Sequence, residues 1–494
     1  MHDLLIIGGG INGCAIAREA ALNGLDVRLV ERDDLAGHTS SASTGLIHGG
    51  LRYLEQFEFR LVAHALAERE RLIAAAPHLI HPMRFVLPHA HAMRPWWIVR
   101  IGLHLYDWIG GGTRMLRSRG LRASDIGYRA PLSQPGKGFV YSDAWVDDAR
   151  LTLANALDAA RHGAVISTQT ELTGACREGD CWVAALSDGA TVMTRAIVNA
   201  AGPWVASLLD RLEVNTASGV RLVKGSHIVV PRLYDGDHAY MLQQPDRRIV
   251  FAIPYQDDFT EIGTTDVTVK APEDAVIDDA EIAYLCAAVN RYFSRQTEPD
   301  DIVSTWSGIR PLYDDGAATA SQVTRDYVLD LDDHGPALLN VFGGKITTAR
   351  HLAEEAIERL APTLGLNAHP VTRARVLPGG AIPEYHRFVD QVRAAYPFLG
   401  DARAVRMARA YGSDLHVMLD GIADAQAMGA DLGAGLTQIE LRWMVDREWA
   451  TTVDDVLWRR SKLGLRVTDA ERTAIAATLS AIRDPAAIGS DRQP

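Results

Sequence analysis

The stretch IIGGGINGCAIA, Ile6–Ala17, decides the fold of this chain. It joins a short apolar run, typical of a buried parallel strand, to a segment of helical composition. Glycines at Gly8, Gly10 and Gly13 permit a tight turn in which the backbone and the helix N-terminus approach a phosphate. A second apolar run ends on Glu31, whose carboxylate can accept a hydrogen bond from a ribose hydroxyl. The sequence therefore predicts an α/β chain with a Rossmann-like dinucleotide-binding domain, and this spacing alone leaves NAD and FAD open.

Length, charge and cysteine content restrict the class of protein. The chain has 494 residues, and its formal net charge of −12 argues against general nucleic-acid binding. It has no long uncharged apolar run and no signal-type segment at its N-terminus, so we expect a cytoplasmic protein without a membrane-spanning helix. The four cysteines show neither a disulfide framework nor a CxxC pair, and we expect free thiols. No His/Cys/Asp cluster has metal-ligand spacing, so no metal is expected.

A series of further motifs runs in order through the chain. They are HTSSASTGLIHGGLRYLE (His38–Glu55), YSDAWVDDARL (Tyr141–Leu151), VNAAGPW (Val198–Trp204), VKGSHIVVP (Val223–Pro231), IGTTD (Ile262–Asp266), SGIRPL (Ser307–Leu312), TRDY (Thr324–Tyr327), VFGGK (Val341–Lys345) and LRWMVDREWATTVDDVLWRRSKLGL (Leu441–Leu465). Together with the N-terminal glycines, they resemble the FAD-dependent glycerol-3-phosphate dehydrogenases of the aerobic, quinone-reducing type. The resemblance covers nearly the whole chain. It implies oxidation of sn-glycerol 3-phosphate to dihydroxyacetone phosphate, hydride transfer to flavin N5 and delivery of the electrons to a membrane quinone.

The resemblance implies FAD as the cofactor. The loop Thr39–Thr44 offers hydroxyls and amides to the flavin, and the glycine pair before Lys345 precedes a helix that we expect to begin near Ile346. Such a helix N-terminus, with the charge of Lys345, would stabilise negative charge on the reduced flavin ring. The residues expected to bind the cofactor are Gly8, Gly10, Ile11, Asn12, Gly13, Glu31, Thr39, Ser40, Ser41, Ser43, His48, Gly49, Gly202, Gly344, Lys345 and Thr347.

A phosphate monoester needs fixed cations, and arginine suits it through bidentate hydrogen bonds. The resemblance implies a substrate site that contains Arg52, Tyr53, Arg310, Arg325 and Lys345. Arg52, Arg310 and Lys345 are also expected to take part in catalysis, by holding the phosphate and the developing charge.

Oxidation of a secondary alcohol also needs a group that accepts the hydroxyl proton, and histidine is suited to this near neutral pH. His227 in KGSHIVV is the preferred candidate, and His48 in IHGG is the second, with contact to the flavin as its alternative role. Asp147 and Asp148 resemble a carboxylate pair, but we interpret them as the N-terminus of a helix.

Two departures from the family pattern bear on the substrate. The family usually has Lys where this chain has Gly45, and it tends to have Tyr where this chain has Ala349. They motivate the alternative that the chain oxidises another polyol phosphate, such as an erythritol phosphate. An amino-acid oxidase that uses dioxygen, and a flavin-binding or membrane-docking module without turnover, are the more distant alternatives.

The segment Met93–Arg122 is basic and rich in tryptophan. Its apolar residues recur at roughly helical spacing, as in helices that lie in a membrane interface. The alternative is an amphipathic helix packed on the core. The expected partners are therefore a polyol phosphate, a quinone and the membrane surface on the inner face of the cell membrane, with a homodimer left open.

The order of helix and strand patterns predicts three parts. An FAD-binding domain would collect residues 1–80, 140–210 and 300–365, interleaved with a β-sheet substrate domain of residues 81–139 and 211–299. Gly and Pro in Leu377–Glu384 indicate a linker. Residues 385–482 then form a C-terminal helical domain, so the chain is α+β overall.

Overall fold

The computed structural model describes residues 1–111, 115–214, 219–314 and 327–484, with the side chains of Arg52, Glu55 and Gln56 left out. These residues form two large sheets and a mainly helical C-terminal part. The strands are β1 (His2–Ile7), β2 (Val27–Val30), β3 (Leu46–Ile47), β4 (Ile80–Pro88), β5 (Arg119–Gly120), β6 (Gly138–Val146), β7 (Val165–Ser167), β8 (Leu172–Glu178), β9 (Cys181–Leu186), β10 (Thr191–Asn199), β11 (Val220–Pro231), β12 (Ala239–Gln243), β13 (Ile249–Tyr255), β14 (Phe259–Gly263), β15 (Val267–Thr268), β16 (Ser304–Tyr313), β17 (Val328–Asp332), β18 (Ala337–Phe342), β19 (Asp431–Gly433) and β20 (Leu436–Thr437).

Helices cover the sheets and build the C-terminal part. They are α1 (Ile11–Leu22), α2 (Phe59–Ala75), α3 (Trp96–Ile109), α4 (Ile126–Arg129), α5 (Asp148–Arg161), α6 (Val205–Arg211), α7 (Asp279–Asn290), α8 (Ala349–Leu364), α9 (Tyr385–Ala395), α10 (Asp401–Tyr411), α11 (Leu415–Met418), α12 (Gln438–Glu448) and α13 (Asp469–Arg483).

The first sheet is the predicted dinucleotide-binding sheet. Its strands lie in the order β17-β18-β10-β1-β2-β7, and β1 pairs in parallel with both β10 and β2. The two apolar runs around the glycine turn are therefore adjacent parallel strands, as predicted. Helices α1, α5 and α8 bury their apolar faces on this sheet through residues such as Ile16, Leu153 and Leu352. Parallel strands need such covering helices because both of their faces are apolar.

The second sheet contains the substrate-domain strands expected from GSHIVVP and RRIVFAIP. Its strands lie in the order β15-β11-β14-β13-β12-β4-β6-β3, with β16 paired to β11 and β5 to β6. Helix α7 packs on it through Leu285 and Val289. Strand β16 and most of strand β6 fall within the residue ranges predicted for the FAD-binding domain, yet both strands lie in this sheet. A strand pattern carries no signal for its distant partner, so these ranges need that correction, and the three-part division stays a prediction.

The C-terminal part is helical, as predicted, with one addition. Helices α9, α10, α12 and α13 enclose a separate core of residues such as Val392, Met407 and Leu441. A short hairpin, β19–β20, precedes α12. Between α8 and α9 the chain has no regular helix or strand, which agrees with the predicted linker.

Two local predictions are confirmed. The Asp147 side chain accepts a hydrogen bond from the Arg150 amide at 3.1 Å and caps the N-terminus of α5, so the adjacent acids mark a helix start. Cys14, Cys176, Cys181 and Cys286 are all free thiols.

Helix α3 lies on the surface with much of its apolar side exposed. Leu103 and Tyr106 are its buried residues, whereas Trp97 and Trp108 are 61% and 75% exposed. Among the described residues, no helix combines the length and apolar character needed to cross a membrane. The predicted amphipathic helix is thus present, and it is not fully covered by the core.

Candidate functional site

A large cavity of about 800 Å³ opens between the two sheets. Its wall includes the β1–α1 turn, the ends of β2 and β10, the loop after β2, and residues of β13 and β16. A cavity of this size, at the carboxyl ends of parallel strands, is the usual place for a dinucleotide in such folds.

The glycine turn is held by close backbone contacts. Gly8 has φ +112°, and a Cβ there would lie 2.5 Å from the Ala200 carbonyl oxygen. A Cβ on Gly13 would lie 2.0 Å from the Gly8 carbonyl oxygen. Side chains are therefore excluded at both positions, and α1 starts directly at the cavity with Gly10 as its N-cap.

Glu31 closes the turn from β2. Its carboxylate accepts hydrogen bonds from the amides of Gly9 at 2.7 Å and Asp33 at 2.9 Å. Burial raises the pKa of Glu31, and the two backbone hydrogen bonds oppose that rise. The side chain lines the cavity, in the position expected for a partner of a ribose hydroxyl.

The Ser/Thr loop lies against the helix start. Thr39, Ser40 and Ser43 line the cavity, and the Ser40 hydroxyl accepts a hydrogen bond from the Ile11 amide at 2.9 Å. Ser41 does not line the cavity, and its hydroxyl donates instead to the His38 carbonyl at 3.3 Å. The loop is a 3₁₀ turn over Thr39–Ser41, so neighbouring side chains point in different directions.

The glycine pair Gly343–Gly344, after β18, lies against the start of α1 at the β1–α1 turn. The Asn12 amide nitrogen donates to the Gly343 carbonyl at 3.1 Å, and a Cβ on Gly344 would lie 2.6 Å from that nitrogen. Lys345 and Thr347 line the cavity. Helix α8 begins at Ala349, not near Ile346 as predicted, because residues 346–348 form a turn that precedes the first helical turn.

His48 and Gly49 lie in the segment after β3. His48 lines the cavity, and its amide donates to the Thr347 hydroxyl at 3.4 Å. Gly49 does not line the cavity, and its amide donates at 2.8 Å to the hydroxyl of Tyr106 from α3. That hydroxyl donates in turn to Asp143 at 2.8 Å, so the surface helix is bonded to the cavity wall.

The remaining cofactor candidates also lie at the cavity. Ile11 and Gly202 are on its wall, together with Gly8, Gly10 and Asn12. The Asn12 Oδ1 atom is buried without a hydrogen-bond partner among the described residues, which leaves an acceptor for a bound group. The bare backbone turn, this acceptor and Glu31 fit a dinucleotide.

Three of the substrate candidates, Arg310, Lys345 and Tyr53, lie on the cavity wall. Arg310 of β16 donates to the Thr264 hydroxyl at 3.1 Å and lies 3.6 Å from the Asp266 carboxylate. The Lys345 ammonium lies 4.5 Å from the centre of the Tyr53 ring, and both residues line the cavity. Arg325 and the side chain of Arg52 lie outside the described residues, so their assignments stay predictions.

A glycine makes room for Arg310. A Cβ on Gly225 would lie 2.5 Å from the Arg310 guanidinium and 2.6 Å from the Thr264 hydroxyl. The sequence does not single out Thr264, although it lies in the quoted IGTTD motif. The sequence motifs also do not indicate Arg248, the residue before β13. This residue lines the cavity, and its guanidinium carbon lies 3.9 Å from the centre of the Tyr284 ring.

His227 lies behind the cavity wall. It is 1% exposed, and its Nε2 atom lies 2.9 Å from the Thr44 hydroxyl, which does line the cavity. Burial, helped by the charge of Arg310, lowers the pKa of His227 to about 3, so the ring is neutral at pH 7. Thr44 therefore lies between His227 and the cavity, and His227 is one hydrogen bond further back.

Neither departure from the family pattern lies on the cavity wall. Gly45 has φ +59°, and a Cβ there would lie 2.9 Å from the Val146 carbonyl oxygen. Ala349 is buried at the start of α8 in the core beneath the first sheet. These two positions therefore give no direct support to a different substrate.

The absence of a metal stays a prediction. Glu31, Asp33 and His38 bring ligand atoms within 4.8 Å of one another. Both Glu31 oxygens already accept backbone hydrogen bonds, and the His38 ring lies 2.8 Å from the Asp33 carboxylate. The described contacts explain this group without an ion.

Comparisons with known proteins define the class. Residues 3–350 match a family described as FAD dependent oxidoreductase, and residues 370–492 match one described as the C-terminal domain of alpha-glycerophosphate oxidase. The protein is an FAD-dependent oxidoreductase, and the bare glycine turn with Glu31 fits the dinucleotide part of that cofactor.

Similar proteins show which family of FAD-dependent oxidoreductases the chain belongs to. The aerobic glycerol-3-phosphate dehydrogenase of Escherichia coli is 48% identical, with 94% of each chain covered. A D-erythritol 1-phosphate dehydrogenase of Brucella abortus is 47% identical, with 96% of each covered. The chain belongs to the family of FAD-dependent glycerol-3-phosphate dehydrogenases.

Solved structures agree with this fold. The glycerol-3-phosphate dehydrogenase of Bacillus halodurans in complex with FAD has a TM-score of 0.74 and 26% identity, and covers 98% of this chain and 95% of its own. The L-alpha-glycerophosphate oxidase of Mycoplasma pneumoniae has a TM-score of 0.59 and 19% identity, and the match covers 76% of this chain and 98% of the oxidase. At this identity the match supports a shared fold only.

Replacing Gly8 with Ala should weaken FAD binding by about 10-fold or more, because the left-handed backbone and the Ala200 oxygen both oppose a methyl group. The FAD content after purification and titration of the FAD-free protein would measure this. Gly174→Ala in β8, where an added methyl group meets nothing within 4 Å, is the control. Normal FAD affinity of the Gly8 variant would contradict the role given to the turn.

Proposed function

We propose that this protein oxidises sn-glycerol 3-phosphate to dihydroxyacetone phosphate and passes the electrons to a membrane quinone. The observation that carries the proposal is that Arg310, Lys345 and Tyr53 all line the cavity that also contains the dinucleotide turn. The names of the relatives from Escherichia coli and Pseudomonas aeruginosa support the same substrate. When bound, FAD supplies the acceptor of the hydride that leaves C2 of the substrate.

The cationic residues hold the phosphate in this proposal. Arg310 is fixed from one side by Thr264 and from the other by Asp266, so its guanidinium is oriented before the substrate arrives. Lys345 lies over the Tyr53 ring, which restrains its flexible side chain. Preorganised cations reduce the ordering cost of binding a phosphate. We assign Arg52 and Arg325 to the same group on the family resemblance.

The hydroxyl proton leaves through Thr44 in this proposal. The Thr44 hydroxyl lines the cavity and is within hydrogen-bond distance of His227 Nε2. Because His227 is neutral at pH 7, its Nε2 atom can accept the hydrogen bond of the Thr44 hydroxyl, and with a pKa of about 3 the ring takes the relayed proton only as the hydride leaves the substrate. Because it does not reach the cavity itself, we treat His227 as a positioning residue and Thr44 as the group that contacts the substrate. His48, which lies on the wall, is the second candidate.

We further propose that helix α3 docks on the membrane from the cytoplasmic side. Its exposed tryptophans are accompanied by Phe57 and Phe59, which are also exposed at the end of the turn that carries Tyr53. The cavity wall includes the apolar residues Leu51, Leu61 and Phe251. An apolar wall of this kind suits a quinone that arrives from the lipid.

The same chemistry on another polyol phosphate is the second candidate. It is favoured by the Brucella abortus D-erythritol 1-phosphate dehydrogenase, which is as similar to this chain as the glycerol-3-phosphate dehydrogenases are. The phosphate site would be shared, and the two substrates differ by one carbon with its hydroxyl.

The first test is anaerobic. Adding sn-glycerol 3-phosphate to the purified yellow protein should bleach the flavin absorption, because the substrate reduces the bound cofactor. Erythritol 1-phosphate is the matched competitor. Faster bleaching by the four-carbon substrate would overturn our choice in favour of the second candidate, and bleaching by neither would remove both.

Replacing Arg310 with Ala should raise KM for the phosphate substrate by about 10- to 100-fold, since a charge-assisted contact contributes about 1.5–3 kcal/mol. Arg310→Lys should recover only part of this because the bidentate geometry is lost. Steady-state kinetics would measure both. Arg393→Ala, which breaks an exposed ion pair on the C-terminal part, is the control. An unchanged KM in the Arg310 variants would place the phosphate elsewhere.

Replacing His227 with Asn should lower kcat by about 100-fold with little change in KM, and Thr44→Val should do the same. The double variant should show no further loss, because the two residues act in one relay. Since the pKa of His227 is about 3, kcat/KM should show no step from this residue above about pH 5. Full activity of Thr44→Val, together with an inactive His48→Asn, would transfer the role to His48.

Replacing Trp97 and Trp108 together with Ser should weaken binding to vesicles of phosphatidylcholine and phosphatidylglycerol by about 10-fold or more, because both rings are exposed and apolar. Co-sedimentation would measure this. Val417→Ser, an exposed apolar residue of the C-terminal part, is the control. Undiminished sedimentation of the double variant would exclude α3 as the docking surface.

A further inference from the structure

One buried ion-pair cluster joins the C-terminal part to the loop after β2. Asp34 is 3% exposed and lies in this loop, whose residues Arg32, Ala36 and His38 line the cavity. Its carboxylate accepts hydrogen bonds from the Arg460 guanidinium at 2.5 and 2.8 Å and from Arg459 Nε at 2.5 Å. The acid thus faces away from the cavity and is held by two adjacent arginines from a distant part of the chain.

The arginines are themselves fixed. Arg460 is buried and also donates from Nε to the Glu448 carbonyl at 3.1 Å, so its fork has only one orientation available. Arg459 also donates to Asp455, which accepts from the amides of Thr451 and Thr452. Residues Asp455–Arg460 form a π-helix, a rare conformation that often occurs at functional positions.

A second contact runs from the same segment to the Ser/Thr loop. The Lys462 ammonium lies 4.0 Å from the Asp148 carboxylate. Asp148 in turn accepts hydrogen bonds from the Ser43 amide at 3.1 Å and the Ser43 hydroxyl at 2.7 Å. Ser43 lines the cavity. Arg459 and Arg460 therefore hold the loop after β2 directly, and Lys462 is connected through Asp148 to Ser43 in the adjoining Ser/Thr loop.

Ordinary packing between domains does not require this arrangement. The Arg150–Glu448 pair also joins the first sheet's helices to the C-terminal part, at 2.8 Å and buried, but Arg150 lies on α5, and its guanidinium bonds to the Glu448 carboxylate and the Ala410 carbonyl, neither of which belongs to a residue of the cavity wall. A buried ion pair adds little net stability because of its desolvation cost, so a stabilising effect alone does not account for these pairs. Asp34 lies in the loop after β2, and Asp148 is bonded to Ser43. The ion pairs with these two acids therefore restrain the loops of the cavity wall.

We propose that Arg459, Arg460 and Lys462 form a clamp by which the C-terminal domain holds the adjoining segments Glu31–His38 and Thr39–Thr44 in the conformation that binds the cofactor. The clamp lies outside residues 3–350, the part that matches the FAD-dependent oxidoreductase family, and inside the C-terminal family match. Arg459, Arg460 and Lys462 do not line the cavity; they are positioning residues that keep the Glu31–His38 and Thr39–Thr44 segments ordered before the cofactor binds. Order that exists before binding lowers the cost of binding. The proposal depends on FAD as the cofactor and not on the identity of the substrate.

The test compares two buried interdomain arginines. Arg460→Met should raise the dissociation constant of FAD, measured by fluorescence titration of the FAD-free full chain, by about 10-fold or more. Arg150→Met breaks the pair with the Glu448 carboxylate but leaves in place the Glu448 carbonyl that Arg460 contacts, so it should change the dissociation constant by less than about twofold. Hydrogen exchange of the FAD-free Arg460→Met protein should be faster in residues 31–44 than in wild type, and unchanged there in Arg150→Met.

Asp34→Asn and Arg460→Lys guard against simple misfolding, since both keep the size of the side chain. Circular dichroism of each FAD-free variant checks the fold, and Arg460→Lys should recover part of the FAD affinity. Equal loss of affinity in the Arg150 and Arg460 variants would reduce the clamp to general domain docking and overturn the proposal. Unchanged affinity in folded Asp34→Asn and Arg460→Met would overturn it as well. Substrate kinetics do not enter either result.

Discussion

The rest of the structure depends on the close approach of three backbone segments at the β1–α1 turn. A Cβ on Gly13 would lie only 2.0 Å from the Gly8 oxygen, and a Cβ on Gly8 would lie only 2.5 Å from the Ala200 oxygen. This contact fixes β1, α1 and the end of β10 relative to one another. It leaves the start of α1 facing the cavity, and the loops after β2 and β18 then close around it through Ser40 and Asn12. Everything that binds in the cavity is positioned from this point.

Most of this centre can be predicted from the sequence because it is local. The glycines, the apolar runs and Glu31 lie within about one βαβ unit, where spacing determines geometry. The same holds for the capped start of α5 at Asp147. The helical C-terminal part and the exposed apolar side of α3 follow from periodicity.

What depends on distant contacts is predicted less well. Nothing near β6 or β16 indicates that they pair within the second sheet. The direction of a side chain is equally hidden: Ser41 and Gly49 lie in the right segments but off the cavity wall, and His227 lies behind Thr44. Tyr106 could have been suspected, since it follows the buried Leu103 at helical spacing on the inner side of α3. Its bond to Gly49 could not.

The turn and helix around Phe57 place two environments side by side. Phe57 and Phe59 are exposed, while Glu58 and Leu61 of the same short stretch line the cavity. On the proposed function, the electron donor reaches this entrance by diffusion through water and the electron acceptor reaches it by diffusion within a lipid plane. The rate of flavin reduction then depends on the concentration of the substrate per volume. The rate of flavin reoxidation depends on the density of the quinone per membrane area. The turnover rate would then depend on the amount of quinone per membrane area as much as on the concentration of substrate in the cell.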